Sequence, residues 1–440
     1  MIDVRSLRNS PSEYYSSAEK RGFGREEIDG FFRLDEEWRS LVRNLNALRK
    51  QRNDFSAEIG KIVKSGGDPE ETKKKVKSVN DEISKLEARQ KEVEKERDQF
   101  LSLIPNILHE SVPVASGDEN NKFVRFSGTA RVFKEDLENF RSLTEGNGIF
   151  ELIEKRPESH VDVIQRLNIA DLERAAKISG ARFYFLKNRL VKLELALINY
   201  AIDFLSQRGF TAVSPPFMMK YEPLSRTTDI DTFREALYKI EDDDLYMIAT
   251  SEHPIGAMLM DEILDPHELP IRVAGISPCF RREAGAHGKD TKGIFRVHNF
   301  YKVEQFIFCR PEESWDFHEE ITKNTEDLIR SLEIPYRVVN VCSGELSRLN
   351  SKKYDIEAWF PSQGTFREVA SSSNNTDYQA RSLNIRYRTP DGNRYVHTLN
   401  NTGLATTRMM VCIIENFQTD QGTIRIPEAL IPYTGFEEIT

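Results

Sequence analysis

The chain has 440 residues, of which 39% are hydrophobic and 30% are charged, and its formal net charge is −9. This composition supports about two or three globular domains and excludes a disordered chain. The acidic balance argues against binding of nucleic acid through overall positive charge, although it does not exclude a local basic surface.

The four cysteines lie far apart and form no C-x-x-C pair, so the sequence predicts neither a disulfide scaffold nor a zinc site built on cysteine. No apolar run approaches the ~18 residues that span a bilayer, and the first residues lack an apolar signal segment. We therefore expect a cytoplasmic protein that has no membrane partner.

The first predicted element is a long antiparallel helical hairpin. Apolar residues alternate at spacings of three and four along residues 31–62, which is typical of a coiled-coil seam. Residues 64–69 contain two glycines and a proline, which predict a turn. A second and more polar seam follows along residues 76–100. Together the two helices predict an arm over about residues 27–102 that is roughly 50 Å long.

Lysines crowd the turn of this arm and leave two interpretations open. They are Lys61, Lys64, Lys73, Lys74, Lys75 and Lys77. On composition alone, such lysines most often solvate the outer face of a coiled coil. The other interpretation is a long rigid arm that contacts phosphates.

After the arm, Pro105 and the polar residues 116–121 predict a linker at residues 111–125, between an N-terminal domain at 1–110 and a second domain at 126–440. Strands joined by short loops predict an α+β fold with a largely antiparallel sheet and flanking helices. The predicted strands are residues 123–126, 272–276, 300–309, 336–341, 353–360 and 385–387, and the predicted helices are residues 171–176, 190–208, 252–261, 313–332 and 405–416.

The strongest chemical signal in the second domain is arginine on both sides of a glycine-rich basic loop. Arg281 precedes the loop at residues 284–293, Arg296 follows it, and Phe300 offers a face on which a base can stack. The planar guanidinium group binds phosphate through two parallel hydrogen bonds, so the pair can bracket a polyphosphate. His287 and His298 flank this region, and we expect hydrogen-bonding roles for them rather than metal ligation.

Three segments in this domain resemble the signature motifs of the class II aminoacyl-tRNA synthetases. The sequence FRRE at 280–283 resembles motif 2, GFTAVSPP at 209–216 resembles motif 1, and GLATTR at 403–408 resembles motif 3. The motifs as a whole occupy about residues 190–217, 279–304 and 399–416. Their order along the chain makes the resemblance specific, although each motif alone is weak.

Further segments are similar to those of bacterial-type seryl-tRNA synthetases. They are TSE at 250–252, the run at 296–305, EVASSSN at 368–374 and the N-terminal hairpin, so the resemblance covers almost the whole chain. It implies a serine–tRNA ligase, which forms seryl-adenylate from L-serine and ATP and then moves the seryl group to the 3′ end of tRNA-Ser. It leaves open whether tRNA-Sec is also charged.

The resemblance also implies the roles of individual residues. Arg281 would hold the α-phosphate, and Phe300 and Arg408 would sandwich adenine, so Arg281 and Arg408 are the implied catalytic residues. The implied ATP-binding residues are Arg281, Arg282, Glu283, Arg296, Val297, Phe300, Glu368, Val369, Ala370, Ser371 and Arg408. The implied serine-binding residues are Thr250, Ser251, Glu252, Arg281, Glu304, Asn400 and Thr402. Glu368 and Ser371 would hold Mg²⁺, which prefers oxygen ligands, and no zinc is expected.

The residues themselves leave some of these roles open. Glu304 lies in a predicted strand, where a buried carboxylate is costly without a partner, so function is favoured. Thr402 could equally cap a helix, and Glu368 could cap a serine-rich turn. Residues 131–160 are longer than the corresponding segment usual in the family, and their fold is not predicted.

The implied partners are tRNA-Ser, whose long variable arm the helical arm would grip in trans, and a second copy of the chain, in a homodimer built on motif 1. The alternative function is a non-charging synthetase paralogue used for regulation or RNA binding. Such paralogues usually lose motif residues, and none is missing here. A synthetase-like enzyme that loads a carrier protein is a further alternative, but it would lack the long arm.

Overall fold

A computed structural model describes residues 1–230, 234–284, 290 and 292–440. The chain divides into two compact units, Met1–Ile107 and Leu108–Thr440. Within the described ranges, no helix combines the length and the apolar character that crossing a membrane requires.

The N-terminal unit contains the predicted hairpin. Its helices are Val4–Asn9, Pro11–Lys20, Glu26–Lys64 and Glu70–Leu103, and the last two pair along their length. Leu34, Leu41 and Val93 pack together in one layer of the seam, while Leu45 packs with Val79 in the next. The hairpin prediction is therefore confirmed, because the three-four spacing brings these side chains to one face of each helix.

Polar contacts add to the apolar packing of the hairpin. Arg49 pairs with Glu87 across the hairpin at 2.8 Å. Nearer the base, Asp35 is buried and accepts two hydrogen bonds from Arg8, at 2.5 and 2.8 Å. A buried carboxylate needs such a partner, so this ion pair holds the first helix against the base of the arm.

The second unit is built on a largely antiparallel sheet. In chain order its strands are β1 Lys122–Ser127, β2 Ala130–Phe133, β3 Phe150–Ile153, β4 Ala170–Asp171, β5 Phe185–Leu186, β6 Thr211–Val213, β7 Met218–Met219, β8 Tyr246–Met247, β9 Ile263–Leu264, β10 Ile271–Phe280, β11 Asn299–Cys309, β12 Tyr336–Asn340, β13 Lys352–Phe360, β14 Thr365–Asn374, β15 Arg386–Thr389, β16 Gly392–Tyr395, β17 His397–Ala405, β18 Ile424–Arg425 and β19 Glu438–Ile439. The described residues form one eight-stranded sheet in the order β1-β12-β13-β14-β17-β11-β10-β6. Its neighbours are antiparallel except for β10 and β6, which confirms the predicted α+β class.

Helices flank this sheet. They are Leu137–Leu143, His160–Arg166, Leu172–Ser179, Arg189–Ser206, Tyr221–Thr227, Glu252–Ala257, Ser314–Ser331, Tyr378–Leu383, Thr406–Asn416 and Ile431–Thr434. The helix Arg189–Ser206 buries Leu193 and Leu197 in the core, and the helix Thr406–Asn416 is buried along almost all of its length. The main core therefore lies between these two helices and one face of the sheet.

The structure excludes two of the alternatives that the sequence left open. Glu368 does not precede a turn, because it lies inside β14, and Thr402 does not cap a helix, because it lies inside β17. Both strands lie in the middle of the sheet and were not among the predicted strands. Their serines and asparagines disfavour strands in general, but here buried partners bind them, as Thr322 does when its hydroxyl donates to Ser372 at 2.8 Å.

The long segment at residues 131–160 folds onto the sheet. Its strands β2 and β3 pair in parallel, and the helix Leu137–Leu143 between them presents Phe140. The Phe140 ring is fully buried, with its centroid 5.1 Å from that of Trp359 and 5.9 Å from that of Phe366. The segment is therefore held by an aromatic cluster, which no periodic pattern in the sequence predicted.

Removal of this anchor should destabilise the second unit. We expect Phe140→Ala to lower the free energy of unfolding by about 3–5 kcal/mol, because the side chain is fully buried and its removal leaves a cavity. Leu152→Ala, in the same segment but half exposed, should cost less than about 0.5 kcal/mol. Denaturant unfolding of both variants measures the difference, and equal losses would contradict the assignment of Phe140 as the anchor.

Candidate active site

A cavity of about 250 Å³ lies over the central strands of the sheet. Its lining residues are mostly of polar type and come from several elements at once. The lining residues are Thr227, Thr228, Asp229, Thr250, Glu252, His253, Arg281, Lys302, Glu304, Ser347, Leu349, Asn350, Ser371, Ser373, Asn375 and Asn400. Acids, bases and amides meet here in a space suited to a small polar molecule.

Strand β11 supplies a charged pair to the floor of the cavity. Lys302 and Glu304 are two residues apart, so the alternation of a strand turns both toward the same face. Glu304 is fully buried, and its carboxylate forms an ion pair with the Lys302 ammonium. The Asn400 amide, on the neighbouring strand β17, donates to Glu304 Oε1 at 3.4 Å. These contacts compensate for the burial of Glu304.

A second acid faces this pair from the helix Glu252–Ala257. Glu252 begins the helix, and its backbone amide donates to the Thr250 hydroxyl at 3.2 Å. Burial and the nearby charge of Glu304 raise the pKa of Glu252 to about 7, although Lys302 and Arg281 act in the opposite direction. The Glu252 carboxyl group therefore ionises at a higher pH than that of an exposed surface acid.

The cavity also has an acceptor without a protein donor. Asn400 Oδ1 is buried, and no hydrogen bond from the described residues reaches it. An unpaired buried oxygen is costly unless a ligand supplies the missing donor. Together with the Glu252 and Glu304 carboxylates, it favours a ligand that carries an ammonium or hydroxyl group.

Arginines extend the site beyond the cavity. Arg281 follows β10, its Nε donates to the Ala249 carbonyl at 3.2 Å, and its guanidinium lies 5.3 Å from the centroid of the Phe300 ring. Arg296 Nε lies 3.6 Å from Glu283 Oε2. Both arginines lie in the connection between β10 and β11 and not on the strands themselves, and two arginines at opposite ends of one loop can form a phosphate-binding surface.

A β-bulge in β14 brings Glu368 and Ser371 to one face. Ser371 pairs with Asp355 on β13 and Glu368 pairs with Glu357, so Val369 is the extra residue between them. Since Asp355 and Glu357 are two residues apart and share a face, their partners share it as well. Without the bulge, Glu368 and Ser371 would point in opposite directions.

Glu368 is ionised despite its surroundings. Burial would raise the pKa of its carboxyl group, but Arg408, then Lys353 and Arg281, lower the pKa to about 2. Arg408 contributes most among these cations, since its Nη1 lies 3.3 Å from Glu368 Oε2 and donates to the Glu368 carbonyl at 3.0 Å. An ionised carboxylate beside the Ser371 hydroxyl is a donor set that fits Mg²⁺.

Two family models match separate parts of the chain. Residues 1–108 match the family model for the seryl-tRNA synthetase N-terminal domain, and residues 237–417 match the model for the class II tRNA synthetase core domain (G, H, P, S and T). A serine–tRNA ligase of Picrophilus torridus is 61% identical over 440 residues, which cover 100% of this chain and 99% of the relative. The chain belongs to the seryl-tRNA synthetase family.

Two solved structures of this family resemble the chain over nearly its whole length. The seryl-tRNA synthetase of Pyrococcus horikoshii, complexed with ATP, has a TM-score of 0.97 and 49% identity, and the match covers 100% of this chain and 99% of that one. The cytoplasmic serine–tRNA ligase of Naegleria fowleri, in complex with AMP, has a TM-score of 0.85 and 38% identity, with coverage of 98% and 95%.

Six of the seventeen residues predicted from the family motifs line the cavity, namely Thr250, Glu252, Arg281, Glu304, Ser371 and Asn400, and the other eleven do not. Ser251 is fully buried, and its hydroxyl donates to the Gly275 carbonyl at 3.3 Å, so it supports the floor from below. Thr402 is buried in β17 directly opposite Glu304 on β11. Val297, Val369 and Ala370 are buried, and the Arg282 amide donates to the Ala236 carbonyl at 2.9 Å.

The two histidines of the motif 2 region have different outcomes. His298 Nδ1 lies 2.8 Å from the Arg281 carbonyl oxygen, so it has the hydrogen-bonding role that the sequence predicted. His287 lies outside the described residues. Among the described histidines, cysteines, aspartates and glutamates, no group of three or more is arranged to hold a metal ion.

The sequence prediction missed two charged residues of the lining. Lys302 alternates with Phe300 and Glu304 along β11, and this period of two was a signal that could have identified it. Asp229 follows the helix Tyr221–Thr227 and lies 3.4 Å from Arg348 Nε. No local pattern marks Asp229, because only the fold brings it to the cavity.

Proposed function

We propose that the cavity binds L-serine and that the chain is a serine–tRNA ligase. In this reaction serine and ATP form seryl-adenylate and diphosphate, and the seryl group then moves to the 3′ end of tRNA-Ser. The observation that carries the proposal is the meeting of Glu252, Glu304 and the unpaired Asn400 oxygen with Arg281 and Lys302 in one small cavity. These groups complement an ammonium, a hydroxyl and an anionic end in one ligand.

The chemistry that follows needs no general base. A serine carboxylate is ionised at neutral pH and can attack the α-phosphate directly, so catalysis is positioning and stabilisation of charge. Glu252 and Glu304 would hold the serine ammonium and hydroxyl groups. Arg281, which lines the same cavity, would hold the α-phosphate and act most strongly on the charge of the transition state.

ATP would bind along the arginine surface next to the cavity. Phe300 and Arg408 would sandwich adenine, and Arg296 and Arg408 would reach the γ-phosphate of a bent ATP. Glu283, paired with Arg296, would fix the adenine end. The remaining predicted contacts are Arg282, Val297, Glu368, Val369, Ala370 and Ser371.

The donors at the β14 bulge would hold Mg²⁺, with Glu368 supplying a carboxylate and Ser371 a hydroxyl. The metal ion would neutralise phosphate charge as diphosphate leaves. The ion pair between Glu368 and Arg408 means that the same carboxylate also positions a catalytic arginine.

The helical arm would bind the long variable arm of tRNA-Ser. Its length, its separate turn and the absence of motif residues between residues 27 and 102 support a role apart from the chemistry. In this proposal the grip acts in trans on a tRNA whose acceptor end enters the other subunit of a homodimer.

Exposed apolar side chains support the homodimer. Val191 and Leu195 are 38% and 55% exposed and lie one turn apart on the motif 1 helix Arg189–Ser206, and Phe217 and Met218 at the end of motif 1 are 41% and 43% exposed. Apolar surface of this kind is usual at subunit contacts.

We place the enzyme in the cytoplasm, where free cysteines such as the four buried ones stay reduced.

Serine binding should depend on the ionisation of Glu252. Because the pKa of Glu252 is raised to about 7, its carboxyl group is ionised above that pH and neutral below it. We expect the KM for serine to rise about tenfold as the pH falls from about 8 to about 6, since the neutral form no longer attracts the ammonium group. Serine-dependent exchange between ATP and diphosphate, measured across this range, gives the profile.

Glu252→Gln is the control for this profile. The amide cannot ionise, so the KM for serine should be high and nearly constant with pH, while the KM for ATP changes less than about twofold. A variant that keeps the wild-type pH dependence would show that a different group is responsible.

The α-phosphate role of Arg281 depends on the shape of the guanidinium group. We expect Arg281→Ala to slow adenylate formation by about 10²–10³-fold and Arg281→Lys to recover less than about a tenth of the lost rate, because lysine cannot form two parallel hydrogen bonds. Arg272→Lys is the matched control, since Arg272 lies on β10 but pairs with Glu320 outside the cavity. Near-normal exchange by Arg281→Lys would mean that Arg281 is structural.

Shortening of the arm should separate activation from charging. Residues 49–87 can be replaced by a short turn, because Arg49 and Glu87 face each other across the hairpin and the base below them stays paired. We expect serine-dependent exchange to stay within about twofold of wild type while charging of tRNA-Ser falls by at least about 10²-fold, through loss of phosphate contacts. Loss of exchange as well would contradict the proposal that the arm and the catalytic domain are separate modules.

Substitution of the tip lysines by serine in the full-length arm tests whether the tip itself takes part in tRNA binding.

A further inference from the structure

The proposed function gives no role to His160, a histidine buried at the end of the long segment. His160 begins the helix His160–Arg166 and is 7% exposed. It contacts neither the cavity lining nor the arginine surface. Its two ring nitrogens instead face Glu415, on the helix that carries Arg408, and Gly293, at the end of the loop that precedes Arg296.

The first contact joins His160 to the motif 3 helix. His160 Nδ1 donates to Glu415 Oε1 at 3.0 Å, and the His160 backbone amide donates to the same oxygen at 3.4 Å. Glu415 is fully buried in the last turn of the helix Thr406–Asn416, the helix that carries Arg408. A carboxylate at that end of a helix faces the negative end of the helix dipole, so it depends on such donors.

The same carboxylate ties the motif 3 helix to the turn between β13 and β14. Ser362 donates its hydroxyl to Glu415 Oε2 at 2.5 Å, and Gln363 donates to Oε1 at 3.5 Å. The long segment holds this turn from its other side, where Asn139 donates to the Gly364 carbonyl at 2.9 Å. Glu415 is therefore a junction of the segment, the helix and the strand that carries Glu368.

The second contact joins His160 to the end of the motif 2 loop. A Cβ added at Gly293 would overlap His160 Nε2, so the imidazole lies directly against the Gly293 backbone. Gly293 has a φ of 82°, which side chains rarely adopt, so glycine is required here for two reasons. No hydrogen bond from the described part of the chain reaches His160 Nε2. This nitrogen therefore contacts the Gly293 backbone by van der Waals packing.

The residues just after Gly293 lead to the phosphate arginines. Phe295 is buried, and its ring centroid lies 4.3 Å from the Arg367 guanidinium and 5.4 Å from that of Arg408. Arg296 is the next residue. The position of Gly293 therefore fixes both the aromatic surface that Arg408 packs on and the backbone that runs through Arg296 to the start of β11.

We propose that His160 is a positioning residue for ATP, which holds the end of the motif 2 loop against the motif 3 helix so that Arg296 and Arg408 keep their separation. This proposal rests on the proposed function for its activity readout. It assigns a role to the long segment at residues 131–160, since that segment delivers His160 to the junction.

The test compares His160→Ala and His160→Asn in the full chain. We expect His160→Ala to raise the KM for ATP about tenfold in serine-dependent exchange, with the KM for serine within about twofold, because the serine cavity does not contact the junction. His160→Asn should restore most of the loss, since its amide nitrogen takes the place of Nδ1 and can donate to Glu415. An unchanged KM for ATP, or an equal rise in both KM values, would overturn the proposal.

Val163→Ala is the matched control for simple destabilisation. Val163 is fully buried on the same helix, and its apolar side chain cannot form the hydrogen bond to Glu415 that His160 forms. It should lower the melting temperature and leave both KM values within about twofold. If Val163→Ala shifts the KM for ATP as much as His160→Ala does, His160 is only structural.

Two further readouts test the same junction. Hydrogen exchange of the backbone amides at residues 293–297, measured without substrates, should be about tenfold faster in His160→Ala and near wild type in Val163→Ala. This result decides the proposal even if the wild-type chain fails to activate serine, an outcome that would overturn the proposed function instead. Gly293→Ala should raise the KM for ATP more in the wild-type background than in His160→Ala, where the added methyl group has space, and additive effects would count against the contact.

Discussion

The burial of charged groups in the middle of the sheet is the constraint on which the rest of the second unit depends. Glu304 has no exposed surface, and it is tolerated because Lys302 and Asn400 lie beside it on β11 and β17. Such a pair costs desolvation energy that packing elsewhere must offset, and here the offset comes from the apolar core on the other face of the same strands. A sheet with a dry face and a charged face can hold a small polar ligand rigidly, because neither face can rearrange alone.

The sequence predicted the N-terminal hairpin more completely than the strands of the second unit. The hairpin could be predicted because its stability comes from one regular seam, and an alternation of three and four that is sustained over several turns is typical of a coiled coil. The strands β10 to β13 could be predicted from the sequence because they are apolar. Strands β14 and β17 were not, since serine, threonine and asparagine mark turns when they are exposed, and only their buried partners make them suitable for strands.

The candidate site also contains some features that the sequence could predict and others that it could not. The motif arginines and acids could be placed from resemblance, but the geometry that joins them depends on long-range features. The bulge at Val369 turns Glu368 to the side of Ser371, and a bulge of this kind has no sequence signature apart from its pairing partner on β13. Lys302 could have been identified from alternation within β11, whereas Asp229 and His160 reach their positions only through the packing of distant segments.

The hairpin also has a mechanical consequence. Beyond the base, the apolar side chains of its two helices pack in successive layers along their own seam, so the stability of this part of the arm is a sum of such layers. The buried layers are concentrated toward the base, and Val63, close to the turn, is 58% exposed. The arm is therefore graded in stiffness, firm where Asp35 and Arg8 secure it and increasingly compliant toward residues 64–69, so that its outer part can adjust to the curvature of whatever surface it meets.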